Sequence, residues 1–145
     1  MIRDAIPSDR QTFISMVREF YSSGAVLKPI DPNYFEATFD AAMNQSPFVR
    51  ILMIESDEKT IGYAILALTY SNEAGGMVVL IEEIQIDKAY RGGGHGGRLF
   101  DFIEQEYPDA KRFRLEVCAD NTKAIDLYKR LGYKVFDYVQ MVKDA

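Results

Sequence analysis

Five of the chain's ten glycines fall in the six positions from Gly92 to Gly97, within AYRGGGHGGRLF. The strand-like run MVVLIEEIQID precedes them, and a helix-like segment reaching to about Glu106 follows at once. Glycine weakens a helix by about 1 kcal/mol per position relative to alanine, so five of them at a helix start point to a need for bare backbone. Exposed N–H groups at a helix N-terminus bind anions, and glycine lets that backbone approach a phosphate closely. A strand–glycine loop–helix unit thus anchors the fold, and the question becomes which phosphate compound it serves.

The rest of the chain reads as alternating elements. MIRDAI is a short strand, and Pro7-Ser8-Asp9 starts a helix with Phe13, Met16, Val17 and Phe20 at helical spacing. The loop SSGAVLKPI leads to Asp31-Pro32, a cap followed by proline, and to a second helix with Phe35, Thr38, Phe39 and Ala42 on one face. FVRILMIE and IGYAILALTYS flank the polar turn Ser56–Thr60 as a hairpin, and NEAGG joins them to MVVLIEEIQID. After the glycine helix, closed by Tyr107-Pro108, RFRLEVC is a strand. Asp120-Asn121 caps a last helix, which Gly132 ends, and KVFDYVQMV is a final strand. The predicted order is β-α-α-β-β-β-α-β-α-β, an α+β (mixed α/β) domain spanning residues 1–145 with helices packed on a mixed sheet.

Composition narrows the class. Hydrophobic residues make up 48% and charged residues 27% of the 145, the balance of a globular chain. No apolar run is long enough to cross a bilayer and MIRDAIPSDR lacks a signal-peptide core, so the expectation is a cytoplasmic protein with no membrane partner. The single cysteine, Cys118, excludes an internal disulfide framework; with one histidine it makes no zinc site, and no metal is expected. Cys118 reads as a buried strand residue without a base partner rather than an acyl-enzyme nucleophile. Net charge is −5 but unevenly placed: residues 1–87 carry 6 basic against 13 acidic side chains, residues 88–134 carry 10 against 7. The basic part holds the glycine run, as an anionic ligand requires, while the acidic total argues against nucleic-acid binding.

Three phosphate-binding patterns compete for the glycine run. A P-loop needs Lys and Ser/Thr after its last glycine, and Gly97 is followed by Arg98-Leu99. A dinucleotide fingerprint is formally met by Gly92-x-Gly94-x-x-Gly97 with Glu116 downstream, but only 48 residues follow Gly97, too few for the further βα units of that fold. The third pattern uses the surroundings. Arg91-Gly92-Gly93-Gly94-His95-Gly96 fits R-x-x-G-x-G behind the strand containing Ile84-Gln85-Ile86. Asn121 precedes Tyr128 by seven residues, and that helix ends Arg130-Leu131-Gly132-Tyr133. In these features the sequence resembles the GNAT superfamily of N-acetyltransferases, closely over residues 78–134 and by element order throughout.

The resemblance implies a central, largely antiparallel mixed sheet flanked by helices and direct transfer of an acetyl group from acetyl-CoA to a primary amine of a small molecule, peptide or protein. It implies that the backbone of Arg91, Gly92, Gly93, Gly94, His95, Gly96 and Gly97 holds the pyrophosphate. The strand Ile84, Gln85 and Ile86 would bind the pantetheine arm and polarise the thioester carbonyl, with Asn121, Lys123 and Ala124 beside the cofactor. Glu82, nine residues before Arg91, matches the family's proposed base, with Glu83 as second choice, and Tyr128 matches the acid that protonates the departing thiolate. Strand alternation sends Glu82 and Glu83 to opposite faces, so one at most is expected to meet the acceptor. His95 stands where the family usually has an apolar residue and Gly97 where a small or polar one is common, and neither change removes a backbone donor. As the only histidine, His95 has a competing reading as a base, but its place at a helix N-terminus favours a structural one.

Acceptor choice in this family rests on the segment here spanning Tyr21 to Tyr34 and on the loops near the last strands. Tyr34, Phe35 and Tyr70 are candidates for an aromatic wall, or for core, and Asp31 and Glu36 for attracting a cation. The −7 half of the chain favours a cationic amine there. The alternative function is a non-catalytic acyl-CoA-binding or regulatory domain, which would keep the glycine loop and dispense with Glu82 and Tyr128. The resemblance is compatible with a homodimer.

Overall fold

The computed structural model describes residues 1–24 and 28–145. In chain order the elements are β1 (Ile2–Asp4), α1 (Arg10–Ser22), α2 (Asn33–Met43), β2 (Val49–Ser56), β3 (Lys59–Ser71), β4 (Gly76–Ile86), α3 (His95–Glu106), β5 (Arg112–Leu115) and α4 (Thr122–Arg130). The strands form one sheet in the order β1-β2-β3-β4-β5, antiparallel except for the β4–β5 pair. This is the expected mixed, largely antiparallel α+β arrangement. A dinucleotide fold, by contrast, needs a parallel sheet. No helix among the described residues is long and apolar enough to cross a membrane.

Two apolar clusters sandwich the sheet. On one face Phe13 and Val17 of α1 and Phe35 and Phe39 of α2 pack on Ile51, Met53, Tyr63 and Ile65. On the other, Leu99, Phe100 and Ile103 of α3 pack on Leu52, Ile54, Ala64, Leu66, Val79 and Ile81, with Tyr128 and Leu131 of α4 at the margin. The β2–β3 hairpin turns on Asp57 and Glu58, both at positive φ (51° and 63°), the backbone that a two-residue turn needs to match strand twist.

The β3–β4 ladder carries the feature that shapes the site. Ile65 pairs with Glu83 but Leu66 pairs with Ile81, so Glu82 is an extra residue opposite no partner, a β-bulge. Pairing between β4 and β5 ends at the same place, with Ile81 opposite Leu115. Beyond it, residues 83–86 stay laddered to β3, and among the described residues no strand pairs with their other edge. Gly62 permits this tight ladder: a Cβ built there would lie 2.3 Å from the Gln85 carbonyl oxygen. Gly62→Ala is therefore expected to lower unfolding free energy by about 1–3 kcal/mol through forced strand separation, measurable by chemical denaturation.

Two sequence expectations fail at the C-terminal end. RFRLEVC forms a strand only over Arg112–Leu115, leaving Cys118 half-buried and outside the sheet. KVFDYVQMV forms no strand: Val139 and Met141 are 90% and 92% exposed. Strand propensity needs a partner and a face to bury, and here the helices already cover both faces while β5 offers a four-residue edge. Among the described residues, side-chain contacts to the tail run from Tyr138 Oη to a Glu73 carboxylate oxygen at 3.0 Å and from the Arg112 guanidinium, 4.8 Å over the Phe136 ring.

Candidate active site

The bulge corrects the expected placement of the two glutamates. Ahead of it, Val79 and Ile81 face α3; after it, Ile84 and Ile86 do, so the alternation has slipped by one residue. Glu82 keeps the old parity and Glu83 takes the new one. As a result both line one cavity of about 370 Å³ on the α1–α2 face. Its walls are mainly apolar and aromatic, among them Phe13, Tyr21, Tyr34 and Phe35, and no Lys, Arg or His lines it among the described residues.

Glu83 is buried and accepts two short hydrogen bonds, from Tyr63 Oη at 2.6 Å and from Tyr21 Oη at 2.7 Å, one on each carboxylate oxygen. Desolvation pushes its carboxyl above the usual range, with the neighbouring Glu82 charge adding to the shift and the two phenols opposing it. Glu82 is more exposed, yet desolvation of its carboxyl, followed by the charge of Glu116, also pushes it up. Of the other acceptor-side candidates, Tyr34 and Phe35 line the cavity, while Tyr70 stands 75% exposed at the end of β3. Asp31 does not line the cavity and accepts from the Asn33 backbone N–H, and Glu36 is paired with Arg10 at 2.7 Å. Within the Tyr21–Tyr34 segment, residues 25–27 lie outside the described residues.

The glycine loop lies at the start of α3, on the opposite side of β4. Gly92 and Gly94 have φ of +83° and +78°, a left-handed backbone that favours glycine. Gly94 is the cap of α3, and no side chain caps that helix, so its first-turn N–H groups keep no internal partner. Arg98 braces the loop through Nη2 to the Gly93 carbonyl at 2.9 Å, and the Arg91 Nε donates to the Ile86 carbonyl at 2.9 Å. A Cβ on Gly96 would sit 3.6 Å from Leu127 of α4, and one on Gly97 would meet nothing within 4 Å, so packing demands neither glycine. His95 Nδ1 lies 3.0 Å from Arg98 Nη2, and both residues line a second, polar cavity with Asp57 and Glu58. The imidazole therefore lines a different cavity from Glu82 and Glu83.

On α4, the Asn121 side chain accepts from the Ala124 N–H at 3.4 Å, the expected cap, and Lys123 is exposed beside it. The helix stops as expected at Gly132 (φ +94°), where the Tyr133 N–H bonds the Tyr128 carbonyl and the Gly132 N–H bonds the Lys129 carbonyl. That cap fixes the backbone of Tyr128, whose ring packs between Phe100 (5.7 Å) and Tyr133 (6.2 Å). The Tyr133 hydroxyl is the one fully buried side-chain polar atom without a partner among the described residues. Tyr128 differs: its hydroxyl makes no hydrogen bond among the described residues yet is not fully buried, and burial of the ring pushes the phenol's pKa up.

The family model of the Acetyltransferase (GNAT) family matches residues 13–133. The chain belongs to that family. It is an acetyl-CoA-dependent N-acetyltransferase, as the family and its curated relatives together indicate. One relative, thialysine N-epsilon-acetyltransferase of Sus scrofa, is 28% identical over 142 residues, covering 91% of this chain and 82% of its own. Two solved structures share the fold. A possible acetyltransferase from Clostridium difficile 630 has a TM-score of 0.84 at 20% identity, covering 100% of this chain and 97% of its own. AAC(6')-Iy in complex with the bisubstrate analogue CoA-S-monomethyl-acetylneamine has a TM-score of 0.79 at 16% identity, with the same coverage.

In this acetyltransferase, sequence reasoning missed Tyr21 and Tyr63. Tyr21 enters the sequence reading only as the first residue of the acceptor segment and Tyr63 not at all, because their links to Glu83 span 62 and 20 residues. A tyrosine on an otherwise apolar face is the only local signal, since its hydroxyl needs a partner once buried.

Proposed function

We propose that this acetyltransferase modifies a small cationic primary amine, with Glu82 as base and Tyr128 as acid, residues 1–145 acting as one domain. The observation that carries the acceptor assignment is the cavity holding two carboxylates among aromatic walls, with no basic side chain among the described residues that line it. An anionic acceptor such as a phosphorylated amino sugar would meet repulsion there, whereas an ammonium on an aliphatic stem meets opposite charge and ring faces. A thialysine-like side-chain amine, the type named for the Sus scrofa relative, satisfies this chemistry.

The cofactor assignment rests on different groups. The uncapped first turn of α3, the left-handed Gly92 and Gly94, and the open edge of β4 at 84–86 fit a pyrophosphate and an extended amide-bearing arm. Asn121, Lys123 and Ala124, at the start of α4, are assigned to the same site because that helix lies beside α3, its Leu127 3.6 Å from a Cβ built on Gly96. When bound, acetyl-CoA supplies an activated acetyl thioester. Glu82 then takes a proton from the acceptor ammonium, freeing its lone pair for attack. Backbone N–H groups of Ile84–Ile86 orient and polarise the carbonyl. Tyr128, kept protonated by burial, gives its proton to the departing sulfur. The acidic net charge of −5 supports a small-molecule or peptide acceptor over nucleic acid.

Thiol release from acetyl-CoA with a panel of alkyl, lysine-like and phosphorylated amines tests this reading; turnover confined to phosphorylated amines would overturn it. The pH profile gives a sharper check. A raised carboxyl pKa on Glu82 means that the base is ionised above that value and activity is lost as pH falls through it, at a pH above the ordinary carboxylate range. Glu82→Gln is expected to remove that limb and lower the neutral-pH rate by about 10²-fold.

A further inference from the structure

The two glutamates share a cavity but not an environment. Both Glu83 oxygens are already engaged by phenols and the side chain is buried, while Glu82 makes no hydrogen bond within the described residues. We propose that Glu83, positioned by Tyr21 and Tyr63, is the ammonium anchor of the acceptor cavity, a role separate from proton removal. This rests on the acceptor reading above.

The geometry supports a division of labour. A carboxylate has about four acceptor sites, and two phenols occupy two of them, leaving one on each oxygen for an N–H of an incoming ammonium. Tyr63 is wholly buried on β3 and Tyr21 comes from the last turn of α1, so the carboxylate is clamped between sheet and helix and its orientation is set before substrate arrives. The Tyr21 ring also stacks at 5.2 Å from Phe35, so the same side chain contributes to the aromatic wall that an alkylammonium stem would meet. A group that must exchange protons each turnover benefits from freedom and water. Glu82, on a bulge and without a hydrogen bond among the described residues, is the freer and more exposed of the two. Tyr21 and Tyr63 are positioning residues on this view, acting through Glu83.

Binding rather than turnover provides the test. Titration calorimetry with n-hexylamine, and with n-hexanol as the neutral probe, would be run on the wild-type protein and on Glu83→Gln, Glu82→Gln and Tyr21→Phe, each checked for folding by circular dichroism. Hexylamine should bind the wild type more tightly than hexanol. Its affinity should fall at least tenfold in Glu83→Gln, about three- to tenfold in Tyr21→Phe, and less than threefold in Glu82→Gln. Hexanol binding should change little in any of them. Equal losses in the two glutamate variants, or no loss in Tyr21→Phe, would overturn the proposal. So would no preference for the amine in the wild type. In the amine panel, turnover of alkylamines alongside such a result would leave the acceptor reading standing while this assignment fails.

Discussion

Replacing Tyr128 by phenylalanine should lower kcat by about 10²–10⁴, the range for losing a general acid, with little change in stability or in acetyl-CoA affinity. The ring contacts to Phe100 and Tyr133 survive the change, and the hydroxyl makes no hydrogen bond that folding would miss. The sign of the pKa shift matters here. Burial raises the phenol's pKa, so the proton is present through the whole neutral range, and any alkaline fall in the wild-type rate that reports this group should lie above the ordinary tyrosine range. Steady-state kinetics together with a melting curve check both halves. Unchanged kcat would leave Tyr128 as packing alone.

Gly94→Glu should abolish cofactor binding while the protein stays folded. At φ +78° a side chain costs about 1–2 kcal/mol of backbone strain. Its Cβ would lie 3.2 Å from Arg98 Nη1, the mobile end of a side chain that can move aside. The new carboxylate would sit at the helix N-terminus, where negative charge is favoured, and would occupy the place of the pyrophosphate. Wild-type protein at a hundredfold excess of acetyl-CoA over its Kd should gain about 2.7 kcal/mol of stability, read as a higher Tm, and Gly94→Glu should show no shift. Gly94→Ala carries the strain without the charge and should keep a reduced shift. A full shift in Gly94→Glu would remove the loop from the cofactor site.

Much of this site was legible because its signals are local. Gly92 and Gly94 announce left-handed backbone, Asn121 announces a cap and Gly132 a stop, and each does its work within a few residues of itself. The hairpin at Asp57-Glu58 is of the same kind. What escaped depends on residues far along the chain. The Glu82 bulge exists only in the pairing with β3, so strand alternation put the two glutamates on opposite faces when they share one. Tyr21 becomes a partner of Glu83 only after α1 has docked on the sheet. Glu36 looked available to a cation because Arg10, its partner, lies 26 residues upstream. The tail from Lys134 has strand-like composition, but propensity alone does not recruit a neighbour.

The extra residue at position 82 makes β4 a ruler that skips a mark. Counting by twos from Val79 identifies the side chains under α3 as far as Ile81, and the same count beyond it names the wrong ones. Deleting one residue there would do more than shorten a strand. It would bring the two stretches into a single count, continue the ladder to β3 without interruption, and leave one glutamate, the same whichever was removed, on the α1–α2 face. The acidic pair would cease to exist as a pair, although no other letter of the sequence had changed. Length, at this one point, is as much a part of the chemistry as residue identity.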